Sequence, residues 1–344
     1  MNVAATYACY NKDDEVRILS SSGAIFSLLA NNIFKYNGVV YGVAMSEDCY
    51  TAEFVVATNN SELEKIRGSK YLQAKVGDTY KAVKRDLCAG KLVLFTGTGC
   101  QINGLKNFLG QDYDNLICVD VICHGVPSPA LWKKYVAYQE KKYKTKLESI
   151  NFRCKDKSWS EFGIKENQLY ISKDKDAYMQ MFLRDYCLRP SCYECVAKKN
   201  KMADISIADF WGIDNIAPEM NDNKGTSLVL VRTQKGKRIF EEIQDEMYVK
   251  IVKYEEGVRS NPAEYKSAVR PEERNEFFEE MRNIDFESLK KKYARPIKTP
   301  LTRQIKQKIK IILKSIAKNK WGGVERNYQE YGLLFTFEKR LERY

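Results

Sequence analysis

The sequence predicts an α/β fold with α+β elements: a mixed sheet core of strand–turn–helix units, followed by a basic, mainly helical C-terminal tail. Three observations predict it. Two apolar strands, in "GKLVLFTGTGCQINGLKNFL" and "NLICVDVICHGVPSPALWKKYVAYQEKKY", each pass through a Gly- or Pro-rich turn into a helix, the order that builds parallel strands. Further runs such as "ADISIADFWGI" alternate as half-buried strands do. The net charge of +12 is also confined: residues 288–320 hold twelve Lys and Arg and no acid, leaving 45 basic against 45 acidic residues elsewhere.

In chain order, "SSSGAIFSLLANNIFK" reads as a Ser-capped helix with Ile25, Leu28, Leu29 and Ile33 on one face. "GVVYGVAMS" and "TAEFVVAT" read as strands. A helix begins near Asn60 and runs into "IRGSKYLQAKVGDTYKAVKRDL". The two strand–turn–helix units follow. "ESINFRCKDKSW" and "ENQLYISKDKD" read as a pair of strands, and "AYMQMFLRDYCL" as a helix leading into a cysteine turn. "TSLVLVRT" is a strand, followed by a helix from Gln234. Strand signals disappear near 260–270, so the chain divides into a core of residues 1–270 and an extension of residues 271–344.

Composition excludes several classes. With 44% apolar and 12% aromatic residues, 344 residues suit a folded globular chain. No run approaches the roughly 20 apolar residues of a membrane-spanning helix. "MNVAATYACYNKDDEV" lacks the basic start and apolar block of a signal peptide, so the expected location is cytoplasmic. A neutral body with a basic tail argues against nucleic acid as partner. His124 is the one histidine, and the sequence shows neither a Ser-His-Asp arrangement nor an HExxH motif, so hydrolase readings have no support.

Ten cysteines in a reducing compartment argue against a disulfide framework. Cys9, Cys49, Cys88 and Cys118 read as small buried hydrophobes. Cys192 and Cys195, in "RPSCYECVAK", stand three apart behind a proline turn and could chelate a metal. Cys100 and Cys123 lie at the carboxyl ends of the two apolar strands, the sheet edge where ligands bind. A four-sulfur site of Cys100, Cys123, Cys192 and Cys195 follows, with Cys187 as a rival fourth ligand and buried free thiols as the bland reading. Four thiolates suit either a 4Fe-4S cluster or a structural zinc.

Seven ordered blocks add a resemblance. "SSSGAIFSLLA", "GSKYLQAKVGDTY", "GKLVLFTGTGCQINGLKNFL", "VDVICHGVPSPALWKKY", "FRCKDKSW", "RPSCYECVAKKNKMADISIADFWGI" and "GTSLVLVRTQKG" resemble the coenzyme F-420 hydrogenase/dehydrogenase beta-subunit family over about residues 1–240. The resemblance implies an oxidoreductase or electron-transfer subunit with an FAD beside a 4Fe-4S cluster. It would pass electrons between a ferredoxin-like or deazaflavin-type carrier and another substrate. Bacterial relatives also occur beside polysaccharide-biosynthesis enzymes. The cluster ligands carry over to Cys100, Cys123, Cys192 and Cys195, whereas Cys187 matches a position that is apolar in relatives. The alternative class is a non-catalytic, zinc-stabilised four-Cys binding protein without flavin.

For the flavin, Gly-rich turns and helix starts offer N–H groups to a diphosphate. Ser21, Ser22 and Gly23 form one such turn, with an ordinary N-cap as the bland reading, and Thr96, Gly97 and Thr98 form another. Lys70 is a candidate counter-charge and Lys155 a second contact. Asp209, Trp211 and Gly212 are expected to shape the turn beside the cluster. Three departures stand out. The ferredoxin module that begins many relatives is not seen, so electrons would come from a ferredoxin-like partner or another subunit. Gly23-Ala24 replaces a glycine pair, and Gly99 replaces a proline. His124 is the candidate catalytic group, a proton relay suited by its near-neutral titration, with hydrogen bonding inside its turn as the structural alternative. In the tail, Leu301, Ile305, Ile309, Ile312, Leu313 and Ile316 recur at helical spacing among basic residues. That pattern suits docking on an anionic membrane surface, which would make the protein peripheral there, or on an acidic protein.

Overall fold

A computed structural model describes residues 5–294, which belong to one compact unit. Its elements run β1 (Ala5–Asn11), α1 (Asp14–Leu19), α2 (Ile25–Lys35), β2 (Val39–Met45), β3 (Ala52–Ala57), α3 (Asn60–Ile66), β4 (Ala74–Lys75) and α4 (Thr79–Cys88). The two tandem units follow: β5 (Val93–Thr98) with α5 (Gly99–Leu109), and β6 (Leu116–Val121) with α6 (Pro129–Tyr143). Then come β7 (Ile150–Cys154), β8 (Gly163–Glu166), β9 (Leu169–Ser172), α7 (Ala177–Leu183), α8 (Val196–Lys199) and β10 (Ile205–Asp209). The described chain ends with β11 (Ser227–Val231), α9 (Gln234–Glu241), β12 (Met247–Ile251), α10 (Tyr254–Val258), α11 (Arg274–Asn283) and α12 (Phe286–Tyr293).

Nine strands form one mixed sheet in the order β12-β1-β11-β10-β6-β5-β2-β3-β4. Its centre is parallel, β10 on β6, β6 on β5 and β5 on β2, as tandem strand–turn–helix units require. The strands there read as continuous apolar runs because helices cover both faces. Ile25, Leu28, Leu29 and Ile33 of α2 pack on one face with Val40, Leu94 and Ile117, and the α4 and α5 side chains Val83, Leu87, Ile102 and Leu105 on another cluster. β7, β8 and β9 form a separate antiparallel sheet.

Four sequence expectations change. The helix expected to start near Asn60 and run on is two helices, because Gly68 and Gly77 have φ of 86° and 51° and break it. The serine run does not cap α2: its N-cap is Ala24, in the left-handed region at φ 65°. Cys88 is exposed rather than buried. The fourth change concerns the boundary at 270. Phe277 and Met281 of α11 and Phe286, Leu289 and Tyr293 of α12 are buried in the same cluster as Trp132, Tyr135 and Phe182. Basic residues on α12 face water while its apolar stripe faces the core, so charge alone misplaces the edge of the packed unit. The isoleucine stripe of 301–316 lies outside the described residues.

Candidate functional site

Strand register brings the two single cysteines together. Thr98 pairs with Val121 at the carboxyl ends of β5 and β6, and Cys100 and Cys123 each follow two residues later. Proline at 190 starts a short 3-10 turn that ends at Cys192, and Cys195 caps α8. α8 lies against the start of α5. A Cβ on Gly99 would meet Ala197 Cβ at 3.2 Å and Asp120 Oδ2 at 3.0 Å, so the departure to glycine at this position matches a tight contact. The thiols are held in place locally: Thr98 Oγ1 lies 3.1 Å from Cys100 Sγ, Val126 N donates to Cys192 Sγ at 3.5 Å, and Cys195 N donates to Ser267 Oγ at 2.9 Å.

Their electrostatics report the convergence. Burial pushes the Cys123 thiol up to about 12, and the neighbouring thiols of Cys192, Cys100 and Cys195 push the same way. Cys192 is likewise raised by burial first, with Cys100 and Cys195 adding to it. All four predicted sulfurs therefore share one neighbourhood. They do not meet at a point: among the described residues no three His, Cys, Asp or Glu groups gather tightly enough for a single ion. A zinc ion would draw its sulfurs to about 2.3 Å from one centre. Cys187 is elsewhere. It is fully buried in the Trp132 cluster, and burial pushes its thiol to about 12.

Two features here escape sequence reading. Lys198, nine-tenths buried on α8, donates its ammonium to the carbonyls of Cys123 and Ala263. It stands three residues after Cys195, one helical turn along, which is the signal that could have found it. Behind the site, Glu264 accepts from Lys201 at 2.9 Å and from Arg232 at 2.6 Å. Arg232 continues to Ser206 and so to the buried Asp120, beside Gly99. His124 Nε2 lies 2.6 Å from Asp185 Oδ1, with the ring edge-on to Phe182.

The positions expected to hold flavin are mostly committed within the chain. Lys70 Nζ donates to the carbonyls of Lys65, Ile66, Arg67 and Gly68 at 2.6–3.2 Å, so it caps α3. Burial, then Arg67, lowers its pKa to about 7. Lys155 Nζ donates to Arg17 O, Ser22 O and Lys224 O, and burial lowers it to about 7. Ser22 Oγ bonds Thr226 O and Gly23 N bonds Ser227 Oγ, which ties this turn to β11. Ser21 Oγ pairs with Ser69. Thr96 and Gly97 sit in the β5–β6 ladder, and Thr98 N bonds Gln101 Oε1 at 2.9 Å. An ammonium already sharing its protons among carbonyls is not free to neutralise a phosphate. These eight residues therefore do not present an open diphosphate cradle.

Asp209 and Trp211 do shape their turn. Asp209 Oδ1 accepts from Arg153 at 2.8 Å and from Trp159 at 2.9 Å, Trp211 stacks on Trp159 at 5.0 Å, and Gly212 takes φ 81°. Arg153, buried over the Phe162 ring, is a further residue missed in the sequence, and its Nε has no hydrogen-bond partner among the described residues.

Residues 6–79 match the N-terminal part, and residues 90–257 the C-terminal part, of the family described as coenzyme F420 hydrogenase/dehydrogenase, beta subunit. No curated protein matches the chain. Among solved structures, the chain is similar to one from the xenon-derivatised F420-reducing [NiFe] hydrogenase complex of Methanosarcina barkeri. The TM-score is 0.53 at 15% identity, covering 76% of this chain and 87% of that one. At that identity the likeness speaks for the fold, while the two family matches span most of the sequence on which the cysteines lie. The chain belongs to the coenzyme F420 hydrogenase/dehydrogenase beta-subunit family, whose members are oxidoreductase and electron-transfer subunits.

Proposed function

We propose that this protein is an electron-transfer oxidoreductase subunit in which Cys100, Cys123, Cys192 and Cys195 hold a 4Fe-4S cluster. The observation that carries the reading is the convergence of four thiols from three separate segments at the carboxyl edge of the parallel sheet. Four thiolates are the donor set such a cluster takes. When bound, the cluster supplies one-electron transfer.

The chain's own residues set the surroundings. Val126 N–H points at the Cys192 sulfur and the Lys198 ammonium sits behind Cys123, so both favour negative charge on the thiolates. Asp185 Oδ1 holds the His124 ring through Nε2 at 2.6 Å. A flavin, where one binds, needs donors other than the eight positions read from the sequence. Electrons would arrive from a ferredoxin-like carrier or a partner subunit, in keeping with the hydrogenase complex that shares the fold.

Anaerobic purification with iron, acid-labile sulfide and zinc analysis tests the reading. About four iron and four sulfide per chain are expected. Stoichiometric zinc without sulfide would replace it with a structural metal site. Acid release and fluorescence of the supernatant report any flavin on the same sample.

A further inference from the structure

We infer that the cavity between α11 and the cysteine-bearing turn binds a small organic anion through its phosphate or carboxylate groups. The cavity measures about 740 Å³, within the usual range for small-molecule sites. Three guanidiniums line it, Arg189, Arg274 and Arg282, against one lining carboxylate, Glu279. α11 places Arg274, Phe278 and Arg282 at four-residue intervals, so one helix face carries two of them.

Their hydrogen bonds leave capacity facing the cavity. Arg274 is only 8% exposed. It donates Nη2 to Leu188 O at 2.8 Å and Nε to Tyr193 Oη at 3.1 Å, and its Nη1 has no partner among the described residues. Arg282 uses Nε on Phe278 O and keeps both terminal nitrogens. Arg189 spends its backbone N–H on Val126 O, and its guanidinium, which acts electrostatically on Cys192, makes no hydrogen bond among the described residues. Across the cavity the Ser128 hydroxyl stands at the head of α6 without capping it. Forked guanidiniums with free N–H groups match the planar oxygens of phosphate and carboxylate.

The cavity also shares a wall with the thiols. Residues 126–128 and 187–189 pair through Ser128 N to Cys187 O, Arg189 N to Val126 O and a bridge between Pro127 and Leu188. This strip meets Cys192 through Val126 N, and its Ser128, Leu188 and Arg189 line the cavity. An anion held there would lie beside the strip that donates to Cys192. As a substrate site it rests on the electron-transfer reading; as a binding site it does not.

Calorimetric titration of the full chain with inorganic pyrophosphate and with citrate, at matched ionic strength, tests it. The intact protein is expected to bind one anion per chain. R189Q/R282Q, two exposed positions, should weaken binding about tenfold or more with an unchanged melting temperature. K81Q/K84Q, outside the cavity, should leave it intact. Preference for pyrophosphate or for citrate assigns the anionic group. No binding of either probe, or equal loss in the lysine control, overturns the inference. Iron and sulfide content of the same samples reports separately on the cluster.

Discussion

Cys187 and Cys192 are five positions apart, yet Cys187 is fully buried within the aromatic cluster, whereas Cys192 is half-buried at its edge and feels the Cys100 and Cys195 thiols. Cys192→Ala and Cys123→Ala are therefore expected to abolish iron and sulfide retention, whereas Cys187→Ala keeps both and costs about 1–2 kcal/mol of stability. Iron analysis beside chemical denaturation checks this pair of outcomes. Gly23 teaches a related lesson. Its place in a serine turn reads as a phosphate contact, but a Cβ there would lie 2.5 Å from Cys9 O and 2.9 Å from Ser227 N. Neither backbone atom can yield cheaply, so Gly23→Ala should destabilise by about 2–3 kcal/mol, read as a fall in the denaturation midpoint. A midpoint equal to that of the unmodified protein would return the glycine to a ligand role. The placing of Cys100 and Cys123 after the β5 and β6 strand ends was legible because strand ends are local patterns. Lys70 and Lys155 were misjudged because a lysine's partners are decided by distant backbone carbonyls, which no local pattern encodes.

Where α6, α7 and β8 meet, Tyr135 Oη lies against Glu166 Oε1 and 2.6 Å from Asp176 Oδ2, and Gln139 Nε2 donates to Glu166 Oε2 at 2.8 Å. A phenol has one proton, so it satisfies one carboxylate and the other must carry a proton of its own. Burial raises Glu166 to about 7 and Asp176 to about 6. A carboxyl raised above its unfolded value contributes stability that is full below the ordinary glutamate range, and that is lost as pH rises through about 7. Glu166→Gln keeps every hydrogen bond and removes the charge. It should be more stable than the parent at pH 8 by on the order of 2 kcal/mol and nearly equal at pH 4, by urea denaturation at both values. A constant difference at the two pH values would sink this account. The same elements mark the limit of sequence reading. β5–α5 and β6–α6 were legible from apolar runs and Gly-rich turns. β8 and β12 were not, because β8 is four mostly buried residues and β12 five mostly exposed ones, and neither alternates enough to separate a strand from a loop.

At the scale of the whole molecule, the packed unit reaches further than its charge pattern. A chain ending after residue 294 is expected to fold and retain iron. One ending after residue 285 loses the burial of Phe286, Leu289 and Tyr293, about 5 kcal/mol or more, and should melt far lower. If both truncations melt together, α12 contributes little to the fold. The first truncation also removes most of the basic run 288–320. Binding to anionic vesicles or to an acidic protein such as a ferredoxin should fall with it, and high salt should weaken that binding in the full chain. Co-sedimentation at two salt concentrations measures this, and a full chain that ignores both partners at low salt would end the docking idea. The sheet order carries one more consequence, for synthesis. β1 lies between β11 and β12, with Ala5 paired to Val231 and Tyr7 to Ile251. β1 thus stays unpaired on both edges until residues 227–231 have been made, and on one edge until residues 247–251 follow. Throughout that interval the nascent chain carries an open strand, which makes it a candidate for chaperone capture and for mispairing with neighbouring copies on a polysome.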